Sequence, residues 1–184
     1  STGLFLHANQ RNQAMDQNGD AFLDVPLADQ VNFLNRWQYT NTNKGLVSFG
    51  SFRWMKDRKQ IGAVGYNPRL DRNSNSIWGS EIKSNRIDAS LKVGYVFPEI
   101  TYQSFGFQSA YSRHDQEAYY GPRVYEIDHE SFYANLLFNS IIRNTKNKFK
   151  AGLNVTFDRY LETVDQFFFN RTDRSFGGFF EYSF

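Results

Sequence analysis

The chain has no cysteine, only four prolines and no long apolar run in its 184 residues. Without cysteine there is neither a disulfide framework nor a thiolate zinc site. That fits export to an oxidising envelope. Without 18 consecutive apolar residues there is no transmembrane helix. Charge of one sign is also missing. Lys and Arg number 21 against 19 Asp and Glu, so no strong basic footprint for nucleic acid exists. No Gly-rich phosphate loop and no Cys/His metal spacing occurs. The chain opens at Ser1 with no initiator Met and no charged-then-apolar leader, as after removal of a signal or within a longer protein.

Aromatic residues, by contrast, make up 18% of the chain. They fall in stretches that alternate apolar and polar, the period of a strand with two unlike faces. About eight such stretches can be read. Gly3 to Asn9 is the weakest. Near Val31 to Tyr39, Val31, Phe33, Trp37 and Tyr39 share one face. Leu46 to Met55 carries large apolar residues on both faces. Ile87, Ala89, Leu91, Val93 and Tyr95 oppose Arg86, Asp88, Ser90, Lys92 and Gly94. Phe105, Phe107 and Tyr111 share a face, as do Phe132, Ala134, Leu136 and Phe138, and Phe149 through Phe157 at alternate positions. The last stretch aligns Phe176, Gly178, Phe180, Tyr182 and Phe184.

The connections alternate in length. Long ones span roughly residues 11–28, 57–82, 114–123 and 159–175. Short ones, 41–45, 98–101 and 144–147, carry the Asn, Gly, Pro and Lys of turns. Brief turns at one rim and large loops at the other describe an up-and-down transmembrane β-barrel. A mean hydropathy of −0.61 does not oppose this, because only every second strand residue need be apolar. Trp37, Tyr39, Trp54, Tyr95, Phe97, Tyr102, Tyr111 and Phe157 are placed to form girdles at the rims. Alternation alone also describes a half-buried sheet in water.

Several segments resemble TonB-dependent outer-membrane receptors of the Bacteroidetes kind. They are Asp16-Gln-Asn-Gly-Asp-Ala-Phe-Leu-Asp-Val-Pro, Gln30-Val-Asn-Phe-Leu-Asn-Arg-Trp-Gln-Tyr, Gly94-Tyr-Val-Phe-Pro-Glu, Tyr102-Gln-Ser-Phe-Gly-Phe-Gln, His114-Asp-Gln, Tyr120-Gly, Asn144-Thr-Lys-Asn-Lys-Phe and Gly177-Gly-Phe-Phe-Glu-Tyr-Ser. The resemblance implies a segment from the middle of a 22-stranded barrel, with no plug domain within residues 1–184. It implies an outer-membrane location and a role in capturing a scarce nutrient (cobalamin, siderophore, glycan or peptide). Lipid, a plug, TonB and a surface lipoprotein would be the partners, and no covalent chemistry is expected. The alternative is a small closed eight-stranded barrel with an adhesive or structural role, which the final Phe180-Glu-Tyr-Ser-Phe would suit.

Within the first long loop, Asp16, Asn18, Asp20 and Asp24, with the Phe22 carbonyl, fall at positions 1, 3, 5, 9 and 7 of an EF-hand-type calcium loop. Ala21 replaces the usual Gly, and Leu27 the closing Glu. The competing expectation is an Asx-rich turn in water. Trp78, Tyr119, Tyr120 and Tyr125 are candidate ligand contacts, since exposed rings near loops can stack on a planar or sugar-like solute; the equal alternative is that they pack the loops against each other, and Phe167 to Phe169 also lie by a long loop. Lys92, Lys150, Arg36 and Asp158 are expected to face a wet interior. His114-Asp115 and Asp128-His129 lie near the outer ends of two paired strands, where a His-Asp pair could polarise water in a hydrolase; ordinary polar loop chemistry is the favoured reading, since no Ser, His and acid grouping has convincing spacing.

Overall fold

The computed structural model describes residues 1–72 and 76–184. The chain is all-β, with no helix among the described residues. Eight strands form one sheet: β1 (Thr2–Arg11), β2 (Leu27–Asn41), β3 (Leu46–Gly62), β4 (Gly79–Val96), β5 (Ser104–Tyr120), β6 (Arg123–Ile142), β7 (Asn144–Val164) and β8 (Phe167–Ser183). Each pairs antiparallel with its neighbour in sequence, in the order β1 to β8. This is the up-and-down topology expected of barrel wall. The sheet is not closed: β1 and β8 each leave one edge unpaired.

Two of the long connections read from the sequence, residues 114–123 and 159–175, are not loops. Instead β5 and β6 run to a turn at 121–122, and β7 and β8 to a turn at 165–166. Gly121 at φ +58° and Asp165 at φ +54° supply the left-handed turn conformations. Asp165 also ties the hairpins together. Its backbone N–H donates to the Val124 carbonyl at 2.8 Å, and its carboxylate accepts from the Val124 N–H at 2.9 Å. The alternation fades there because polar and apolar residues fall on both faces, although the chain stays extended. Residues 12–26 and 63–78 are the connections that remain long. The second includes 73–75, which lie outside the described residues.

Pairing settles the faces. One face carries Leu91 of β4, and with it Gly50, Trp37, Ser109, Ala134, Val155 and Phe176 in register. On this face β4 shows Ile87, Ala89, Leu91, Val93 and Tyr95 in succession. The other face is polar, with Arg86, Asp88, Ser90 and Lys92 on the same strand. In β3, Phe52 and Trp54 belong to the apolar face, while Phe49 and Met55 point with the polar set.

The apolar belt runs obliquely. Its loop-side limit is Val31 on β2 and Phe176 on β8. Following the ladder from Phe176 back to β2 arrives at Trp37, six residues from Val31. Six residues over six strands is one residue per strand. At ~3.4 Å per residue and ~4.8 Å between strands, that is a slope of about 35°. Beyond the belt the same face turns charged, with Lys56, Arg58, Lys83, Arg113, Asp115, Asp128, Glu130 and Arg159.

No core lies between layers, because there is one layer. Leu4, Leu6, Leu91, Leu136, Leu153 and Phe180 are all exposed. A sheet must cover its apolar face with something. The most buried groups lie instead at the loop side of β3 to β5: Tyr66, Ala118, Tyr119, Ser80 and Glu81.

Candidate functional site

Of these most buried groups, Ser80 and Ala118 point to the polar face. Tyr66 and Tyr119, with Glu81 on the same side, are joined by the second long loop, which folds back onto the charged part of the apolar face. Two glycines form its seats. The Tyr66 ring lies against the Gly79 backbone so closely that a Cβ there would sit 2.2 Å from the ring. A Cβ at Gly121 would meet Trp78 Nε1 at 2.9 Å. The Tyr66 hydroxyl donates to the Tyr119 hydroxyl at 3.0 Å, and Gln60 Nε2 donates to the Tyr66 carbonyl at 2.8 Å. Arg72 lies over the Tyr119 ring, 4.7 Å from its centroid. The first long loop joins through a bridge between Phe22 and Ala63 and a tilted contact of Phe22 with Trp78. Leu23 N–H donates to the Gly62 carbonyl, and Val64 N–H to the Ala21 carbonyl. The two loops are therefore one tethered unit.

Beneath it, Glu81 accepts from Arg58 at 2.6 Å and pairs with Lys83 at 3.0 Å. Burial pushes the Glu81 carboxyl up, but the hydrogen bonds from Lys83 and Arg58 outweigh it and leave it below the ordinary glutamate range. Burial, with the hydrogen bond to Tyr66, holds the Tyr119 hydroxyl well above the usual tyrosine range. Both residues lie beyond the belt, on the loop side.

The four candidate ligand contacts are divided. Tyr119 is only 4% exposed and pins the loop. Trp78 and Tyr120 remain exposed, and Tyr120 and Tyr125 stand on the polar face. Tyr125 lies diagonally across from Glu162 on that face. Phe167 to Phe169 lie in a strand, exposed on β8.

In the first loop, Asp16 is a hub. Its Oδ1 accepts from the backbone N–H groups of Gly19 and Asp20, and its Oδ2 from that of Ala21. Asn18 Oδ1 accepts from Asp20 N–H, Asp20 Oδ1 from Phe22 N–H, and Asp24 Oδ2 from Gln17 N–H. Gly19 and Ala21 take positive φ. These are Asx turns. Among the described residues no group of three or more His, Asp or Glu side chains gathers around a common point.

The sequence-adjacent His-Asp pairs do not form. Neighbours on a strand face opposite ways, so Asp115 and Asp128 go to Arg113 on the apolar side at 3.3 and 2.9 Å. His129 instead meets Asp158 at 3.4 Å on the polar face. Its ring stacks on Tyr160 with centroids 4.1 Å apart and 7° between planes, and Arg171 lies over the far side of Tyr160 at 4.3 Å. Tyr66, Arg72, Tyr160 and Arg171 were missed by sequence reasoning. The stack's only signal is register: His129, Tyr160 and Arg171 are direct cross-strand neighbours, legible once pairing is known.

No family model, curated protein or solved structure matches this chain.

Proposed function

We propose that the chain is a stretch of outer-membrane barrel wall from a receptor that captures a scarce nutrient for TonB-energised uptake. The observation that carries the membrane part is the oblique belt. Strands of a membrane barrel tilt by ~35–45°, so a horizontal slab of lipid must cross their ladders at about that angle, as the belt does. On β4 it covers Ile87 to Tyr95, nine residues, and a strand tilted in a bilayer needs ~9–11. Aromatic residues border it: Trp54, Tyr111, Phe132 and Phe157 towards the loops, and Tyr39, Tyr95, Phe105 and Phe138 towards the turns. Trp54 donates its Nε1–H to Asn85 at 2.9 Å, the arrangement that suits a ring half in water.

The receptor part rests on the resemblance and on two further features. Strands β3 to β8 have 17 to 21 residues, about twice what a crossing requires. They therefore carry a tall extension outside, on which two long loops are tethered. The unpaired edges of β1 and β8 favour a segment of larger wall over the small closed barrel, since long open edges recruit further strands. A plug inside the barrel, TonB beneath it and a surface lipoprotein above complete the reading. A calcium ion held by Asp16, Asn18, Asp20, Asp24 and the Phe22 carbonyl would lock the first loop. No covalent chemistry belongs to it.

The test is genetic. A strain lacking the gene is grown with cobalamin, ferric siderophores, glycans or peptides as the limiting nutrient, beside a strain lacking TonB. The expected result is a shared growth defect on one of these. Normal growth of the gene-deleted strain where the TonB-deleted strain fails would count against the proposal.

A further inference from the structure

The polar face divides by charge. Over β1 to β4 it carries Arg11, Arg36, Arg53, Lys59, Arg86 and Lys92. Against these six stand two acids, Asp57 and Asp88, a net of +4 (six less two). Over β5 to β8 the paired positions of the same face carry four cations, Arg123, Lys148, Lys150 and Arg171, and four acids, Asp158, Glu162, Asp173 and Glu181, a net of zero. The excess is local, in a chain whose formal charge is only +2.

Both acids of the first half are taken. Asp57 pairs with Lys59 at 3.1 Å and Asp88 with Arg86 at 3.0 Å. Arg53 donates to the Asn32 side chain at 3.2 Å. Arg36 and Lys92 have no ion pair among the described residues. Both line one cleft of about 710 Å³ together with Phe5, Phe49, Ser51, Ser90 and Ser1, whose terminal ammonium donates to the Gln38 carbonyl at 2.7 Å. Among the described residues no carboxylate side chain lines it. The Ser51 and Ser90 hydroxyls satisfy each other at 2.7 Å, so either can turn outward to a guest. The register sets this arrangement: Arg36 lies beside Ser51 and Ser90, and Lys92 beside Phe49.

We propose that this cleft binds a small organic anion, with a carboxylate or phosphate between Arg36 and Lys92 and a ring or short apolar part against Phe49 and Phe5. The volume suits a small-molecule site. Arg36 and Lys92, without counter-charge beside the Ser1 ammonium, are a standing demand for an anion, and charge-assisted hydrogen bonds answer it best. The inference deepens the receptor reading by naming the charge of the solute, and it rests on that reading only for the direction of travel; the binding itself needs only the polar face.

The experiment uses the full chain in a zwitterionic detergent and phenyl phosphate as the probe, followed by ligand-observed NMR with protein-free micelles as the blank. Benzyl alcohol, benzylammonium and inorganic phosphate are the comparators. Phenyl phosphate is expected to bind most tightly and to weaken with added salt. Arg36→Gln and Lys92→Gln are each expected to weaken it by about tenfold, the loss of one charged hydrogen bond. Lys92→Arg should restore binding, and Lys56→Gln on the opposite face should leave it unchanged. Benzylammonium binding as well as phenyl phosphate, or unaltered affinity in both Gln variants with strand content intact, would overturn the inference. Whether the chain needs detergent at all is a separate readout: its failure removes the membrane reading and leaves the anion preference to stand or fall by these titrations.

Discussion

Leu91 offers the sharpest separation between a lipid-facing belt and an ordinary exposed sheet. It lies at the middle of the β4 belt, four residues from both Ile87 and Tyr95, and is 41% exposed. Four residues at ~3.4 Å span ~14 Å along the strand, which a tilt near 40° reduces to ~10 Å of depth. An arginine there could not reach either interface easily. Leu91→Arg should therefore cost about 2–4 kcal/mol in lipid, the range for a cation at the midplane of a barrel. Gln108→Arg is the control. Gln108 pairs with Lys92 in the next strand, so it sits at a similar depth but on the polar face. Its cost should stay below about 1 kcal/mol, since lumen-facing positions accept charge. Urea unfolding of both variants in phospholipid vesicles, followed by strand circular dichroism, reads the difference. In water the half-exposed Leu91 would tolerate arginine well, so equal and small effects at the two positions would refute the reasoning.

Removing one hydroxyl in Tyr119→Phe leaves the buried Tyr66 O–H without its acceptor; a local cost of about 1 kcal/mol is expected, seen as faster tryptic cleavage at Arg69 and Arg72. Gly121→Ala forces an L residue to φ +58° against Trp78 and should lower stability by about 1 kcal/mol or more in urea. Asp16→Ala removes the acceptor of three backbone N–H groups, so amides of Gly19, Asp20 and Ala21 should exchange faster with deuterium while those of β4 do not change. Calcium uptake by the first loop is expected as a saturable site lost in Asp16→Ala/Asp20→Ala; equal, negligible binding by both proteins would end that proposal.

The strands were legible wherever one face was apolar and the other polar. Ile87 to Tyr95 shows both faces in sequence, and the structure places them so. The signal faded where the chain left the belt. Between His114 and Tyr120, or Arg159 and Phe169, both faces carry polar or charged groups, so extended backbone looks like loop. The mixed apolar stretch of β3 needed its partners: only pairing of Trp54 with Ile87 and of Phe49 with Lys92 shows which ring faces which way. Asp128 and His129 illustrate a rule that sequence alone could have supplied, because adjacent strand residues point apart. Tyr66 and Tyr119, 53 residues apart, could not be joined by any local pattern. The loop that brings them together has no period of its own.

The three tryptophans test the proposed position of the membrane directly. Trp37 is inside the belt on β2, Trp54 marks its loop-side limit on β3, and Trp78 belongs to the tethered loop. Single-tryptophan variants, with the other two replaced by phenylalanine, are reconstituted in vesicles whose acyl chains carry bromine at graded depths. Trp37 should be quenched most by bromine deep in the chains, Trp54 by bromine near the headgroups, and Trp78 by neither. Equal, weak quenching of all three, from protein that stays monodisperse in buffer without detergent, would contradict a lipid-facing belt.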